Sequence, residues 1–233
     1  MCEAACERQL RQCTPSTLVC PHFAIDCGAM TTDSRQQRAA HRCFGNGSQI
    51  YEAYHDEEWG VPIHDDRHLF ELLILEGAQA GLSWETILKR RATYRVAFED
   101  FDIEKVAGYG PRKIANLLQD EGIIRNRLKV NAAVKNANVV LDIQREVGSF
   151  DAFLWSYVPG GTAMQPDRSS MADVPAETPE STALSKDLKK RGMTFVGPTI
   201  MQAFMQSAGL VNDHQVTCFR HAPVKSISAS LVR

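Results

Sequence analysis

The sequence predicts an all-α protein, on three observations. Apolar residues recur at a helical period through Phe70 to Arg91, FELLILEGAQAGLSWETILKRR, at Phe70, Leu73, Ile74, Leu82, Ile87 and Leu88. No stretch shows the clear two-residue alternation of a half-buried strand. Ser, Asp and Pro stand where helices would begin.

Taken in order, Gln49 to Glu58 reads as a short helix or turn carrying Tyr51, Tyr54 and His55, and WGVPIHDD as a loop. Asp65 or Asp66 caps the next helix. Ser83 caps a helix running from Trp84 to about Phe98, and Asp102 opens a short one. Pro111 suits a first helical position, with Arg112 to Asp120 following. The tight connection EGIIRNR leads into Leu128 to about Glu146, and Ser149 to Tyr157 is another amphipathic segment. Pro159 to Pro179 is rich in Pro, Gly, Ser and Thr and reads as a surface loop, long enough to be mobile or functional. Thr182 to Arg191 is a basic helix, and a last helix starts near Pro198 and stops near Gly209. No strong pattern follows Cys218.

With 233 residues, the chain can bury one large core. A hydrophobic share of 44% and a charged share of 23% fit a soluble globular protein. No apolar run reaches membrane-span length, and no secretory apolar core opens the chain. The net charge of −2 gives no global pull toward nucleic acid. Between Trp84 and Lys135, however, eleven bases face seven acids, a local balance compatible with a phosphate-binding face or with a solvated helix face. Seven cysteines cannot all pair within the chain, so an intracellular, reducing setting is expected. Five of them (Cys2, Cys6, Cys13, Cys20 and Cys27) fall in residues 1–40, read as a poorly ordered extension before a domain over 41–221 and a tail over 222–233. A monomer is the default expectation.

Three constellations carry chemistry. Glu76 is the one charge set in LILEGAQAGLSW, and a lone carboxylate on an apolar helix is costly to bury. Gly77 and Gly81 allow close approach, and Trp84 adds a flat aromatic face; together they suggest a pocket for a flat, cationic ligand, or else a tight helix pair. Cys43, His55, His214 and Cys218 make a two-sulfur, two-nitrogen set common in structural zinc sites. On a helix, His214 and Cys218 would share one face. On spacing alone, unrelated buried cysteines and surface histidines are the better reading. The third is the helical hairpin from Pro111 to Val140, with Gly122 in its turn and Arg125, Arg127 and Lys129 around the second helix start. It can aim N–H groups at a phosphate or be a plain hairpin. Its second glycine is missing, and Asn126 is expected to take the left-handed conformation instead.

The words YHDEEWGVP, LEGAQAGLSW, GIIRNRLKV, ALSKDLKKRG, FVGPTI and GLVNDH with Cys218 resemble the 3-methyladenine DNA glycosylase I family, over roughly Arg42 to Arg220. The resemblance implies the all-α helix-hairpin-helix DNA glycosylase fold. It implies one structural zinc on Cys43, His55, His214 and Cys218, joining the N- and C-terminal segments. It implies a base pocket at Tyr54, Glu76 and Trp84, with Glu76 serving catalysis. The expected reaction is monofunctional hydrolysis of the N-glycosidic bond of 3-methyladenine in double-stranded DNA, with the backbone held at Gly122, Arg125, Arg127 and Lys129. A binding module for alkylated DNA on the same fold is the alternative. The family's tryptophan two residues after the first zinc cysteine is absent here: Gly45 stands there, with Phe44 beside it. The wider superfamily's aspartate after the hairpin has no match, Asp151 being nearest.

Overall fold

The computed structural model describes residues 41–231, and these are helical with no strands. The cysteine-bearing stretch 1–40 lies outside the described residues.

The helices are α1 (Gln49–Ala53), continued by a π-turn (Tyr54–Glu58), then α2 (Asp66–Gln79), α3 (Trp84–Leu88) and α4 (Arg91–Ala97). Next come α5 (Ile103–Ala107), α6 (Pro111–Leu117), α7 (Arg127–Val147) and α8 (Phe150–Trp155). The order ends with α9 (Pro179–Lys190), α10 (Pro198–Ser207) and α11 (His221–Ser230). Helix α2 is the axis of the core. Every residue from Leu69 to Ala78 is buried, because α2 packs against α7, α8 and α10. A helix buried all round must be apolar all round, so the two acids of this buried stretch, Glu71 and Glu76, need separate accounts.

The start signals act as read. Asp65 accepts from the His68 N–H, Ser83 from that of Thr86, Asp102 from that of Lys105 and Ser149 from that of Ala152. Pro111 and Pro198 begin α6 and α10.

Three expectations are corrected. The helix expected from Trp84 to Phe98 breaks at Lys89–Arg90 into α3 and α4. The break turns Arg91 inward, where its Nε donates to Glu71 Oε1 at 2.7 Å. Arg95 Nε donates to the same oxygen at 2.8 Å. A buried carboxylate is stable only when so partnered, and that tertiary demand overrides helix continuity. The tail after Cys218 holds a helix, α11, whose Val224 is completely buried. Of the long loop, expected to be mobile or functional, only the mobile alternative is corrected: Met164 and Arg168 form isolated parallel bridges with Val211 and Gln215.

Candidate functional site: an aromatic cavity beside a Cys/His cluster

The π-turn of Tyr54–Glu58 places two functions one residue apart. Its wide turn closes through Trp59 N–H donating to Tyr54 O at 2.9 Å. Insertions of this kind re-aim successive side chains. Here Tyr54 lines a cavity while His55 joins the Cys/His cluster.

The cavity has a volume of about 210 Å³. Glu76 and Gln79 of α2, Trp84 of α3 and Tyr54 line it, so the three residues expected to form a pocket do meet in space. The Tyr54 and Trp84 rings lie 5.4 Å apart, tilted by 56°. Phe44 closes the side near Gly45, its ring 5.0 Å from Tyr51 and 4.9 Å from Trp59. An aromatic wall therefore survives without a tryptophan at Gly45. Of the two glycines, Gly77 answers to close approach: a Cβ there would lie 3.3 Å from Phe195 Cβ. Gly81 has open space and is needed instead for its φ of +79°.

Glu76 is 4% exposed. Burial pushes its carboxyl up to about 8, with the Ser207 hydroxyl pulling the other way. No cationic side chain of the described residues offsets this, in contrast to Glu71, which Arg95 and Arg91 hold below the ordinary carboxylate range against its burial. Tyr54 is raised by burial and then by Glu76. The buried Trp84 Nε1 has no hydrogen-bond partner, leaving a donor unused at the cavity wall. An unpaired acid among aromatic faces can accept from, and attract, a flat cation.

Cys43, His55, His214 and Cys218 bring four donor atoms within 4.8 Å of one another. The two segments that carry them are far apart in sequence. Cys43 Sγ lies 3.5 Å from His214 Nδ1, and Cys218 Sγ 3.4 Å from His55 Nε2 and 3.5 Å from His214 Nδ1. A tetrahedral zinc with ordinary bond lengths separates sulfur and nitrogen by about 3.6 Å, so the donors fit such an ion. The outer partners fit too. His55 offers Nδ1–H to Asp56 Oδ1 at 2.8 Å, and Asp56 is itself gripped by the Arg42 guanidinium. His214 offers Nε2–H to the Trp59 carbonyl at 2.9 Å. His214 and Cys218 do not lie on a helix, as expected, but on an irregular turn after Val211. There the bridge at Gln215 and the Gln215 N–H to Cys43 Sγ contact, 3.1 Å, set their direction.

The hairpin between α6 and α7 is tethered to α4. Thr93 Oγ1 donates to Gly122 O at 2.6 Å, and Tyr94 Oη accepts from Ile124 N–H at 3.1 Å. A Cβ at Gly122 would sit 2.8 Å from Thr93 Cβ, so packing demands this glycine. Asn126 is not left-handed: at φ −116° and ψ 116° it is extended and caps α7, accepting from the Leu128 and Lys129 N–H groups. Capping supplies what the missing glycine would have done, with ordinary backbone geometry. Arg125 and Arg127 are exposed, whereas Lys129 is half-buried and turned inward. Asp151 pairs with His64 at 2.9 Å and does not line the cavity.

A sequence profile described as methyladenine glycosylase matches residues 44–221. The chain belongs to the methyladenine glycosylase family. It is 48% identical over 169 residues to DNA-3-methyladenine glycosylase 1 of Escherichia coli strain K12, a match covering 72% of this chain and 90% of that one. The crystal structure of a 3-methyladenine DNA glycosylase I superposes with a TM-score of 0.76 at 47% identity, covering 78% of this chain and 100% of the other. A second structure, on 3-methyladenine recognition by the Staphylococcus aureus enzyme, gives 0.75 at 40% identity, covering 77% and 95%.

In this methyladenine glycosylase family member, several cavity residues escaped the sequence reading. Met171 arrives from the long loop and Gln206 from α10, and Gln79 follows Glu76 by three positions. Only Gln79 carried a signal, since i and i+3 share a helix face.

Proposed function

We propose that the protein hydrolyses the N-glycosidic bond of 3-methyladenine in alkylated duplex DNA, as a monofunctional glycosylase. The observation that carries this is Glu76: a buried, unpaired carboxyl facing Tyr54 and Trp84 in a chain of this family. A base stacked within the duplex cannot reach this cavity, so the nucleotide leaves the helix first. N3-alkylated adenine is cationic and gains a cation–π contribution of roughly 0.5–2 kcal/mol against the aromatic walls. Glu76, accepting from the base, favours the alkylated form, because neutral adenine leaves the acid without its charge partner. The lesion already carries a good leaving group, so a dry cavity and a negative charge near the developing sugar cation supply much of the remaining help.

The α6–α7 hairpin is proposed as the helix-hairpin-helix element. Arg125 and Arg127 are assigned to phosphates, and Gly122 to the tight packing that presents them. Cys43, His55, His214 and Cys218 are proposed to hold one zinc. With four protein ligands it supplies a cross-link between the two ends of the domain and leaves no position for a catalytic water. Among the described residues no amine lines the cavity to act as a lyase nucleophile, and Lys129 Nζ is engaged by two carbonyls.

The test is release of 3-methyladenine from methylated duplex DNA by the metal-loaded protein. Release that is lost in Glu76→Ala supports the reading. Retention of lesion DNA on a gel with no free base would replace the enzyme by a binding module.

A further inference from the structure

We propose that Lys129 is a positioning residue, an inward clamp on the Ala78–Ser83 turn that joins the two walls of the cavity, and not a phosphate ligand. Its Nζ donates to Ala78 O and to Ala80 O, each at 2.7 Å. These are carbonyls at the C-terminal end of α2, which have no partner within the helix and carry the negative end of its dipole. A cation there satisfies both needs at once. Glu76 lies just before the clamped carbonyls, Gln79 between them and Trp84 just after the turn, so one ammonium bears on the spacing between opposite walls. Within the turn, Gln79 O accepts from Leu82 N–H at 2.7 Å, and Gly81 adopts its positive φ. Lys129 is held from the other side as well, since Asn126 accepts its backbone N–H at 3.2 Å. Lys129 thereby adds a polar link between hairpin and cavity to the packing of α7 on α2. Arg125 and Arg127 point to solvent as phosphate ligands would; Lys129 does not, and burial lowers its pKa.

The inference rests on the glycosylase reading for its kinetic test, and release by the unmodified protein is the control for that reading. Lys129→Met keeps the stem and removes the donors; Lys129→Gln keeps donors without the charge. Release at saturating protein should fall about tenfold or more in Lys129→Met, as expected for small displacements of reacting groups, with partial recovery in Lys129→Gln. The slope of log affinity for duplex DNA against log salt should stay unchanged in both, whereas Arg127→Ala should lower it by about 0.9. A slope lowered by about 0.9 in Lys129→Met, with release at saturation intact, would overturn the clamp. Amide hydrogen exchange at residues 80–84 gives a readout independent of activity. Exchange should accelerate in Lys129→Met, or in Lys129→Gln if the first variant does not fold. Unchanged protection there overturns the clamp even if the unmodified protein released no base.

Discussion

Glu71 and Glu76 lie on one helix, 6% and 4% exposed, and only Glu71 has cationic partners. Buried Arg91 and exposed Arg95 both pair with the first, which makes it structural. The second is left to accept from whatever enters the cavity. Buried acids thus divide by their partners, and the unpaired one marks the site.

Glu76→Gln should therefore fold at least as well as the parent while losing base release by about 100-fold or more. Thermal unfolding and release from methylated DNA, measured on the same preparation, check both halves. A variant that unfolds earlier and releases base normally would make Glu76 structural.

The pH dependence follows from the sign of the shift. Glu76 is raised from an ordinary 4.5 to about 8. A raised folded value means the associated stability is complete below the unfolded value and is lost as pH rises through about 8. Chemical denaturation at about pH 5, 7 and 9 should show the parent losing stability relative to Glu76→Gln across that window. In the free enzyme the ionised form accumulates only toward pH 8, so kcat/KM for release should climb with pH to about 8, and the climb should vanish in Glu76→Gln.

Removal of the proposed zinc should loosen the whole domain. The cluster ties Cys43 and His55 to His214 and Cys218, and closing so long a segment carries a large entropic effect. Cys218→Ser should bind less than one equivalent of zinc and unfold at lower temperature, by several kcal/mol of stability. Because Tyr54 precedes His55, the same variant should also lower release.

Gly122→Ala should cost about 1–3 kcal/mol through the contact with Thr93 Cβ. Duplex binding should weaken with it, since the hairpin presents Arg125 and Arg127. Denaturation midpoints and a salt titration of binding separate the two effects.

Much of the architecture was legible in the chain because its signals are local. Asp65, Ser83, Asp102 and Ser149 cap helices through their own near neighbours, and Pro111 and Pro198 begin helices for reasons of φ alone. Glu76 and Trp84 were legible because the acid broke an apolar run near the ring, whereas Tyr54 came only from the family resemblance. Most of what failed was non-local. The break at Lys89–Arg90 answers to Glu71 across the core, and α11 forms where Val224 finds a buried seat. The expectation for Asn126 failed locally: it was set in the place of the missing hairpin glycine, yet with an extended backbone its side chain caps α7.

By itself the sequence determined the all-α class, the helix starts, the family and the residue types of the three constellations. Only the tertiary structure decided which acid is unpaired, that Phe44 and Met171 wall the cavity, and that Lys129 turns inward to α2. The physical reason is one of range. Caps and periodicity act within a few residues of the chain, whereas burial, ion pairing and cavity walls depend on atoms that only packing brings together.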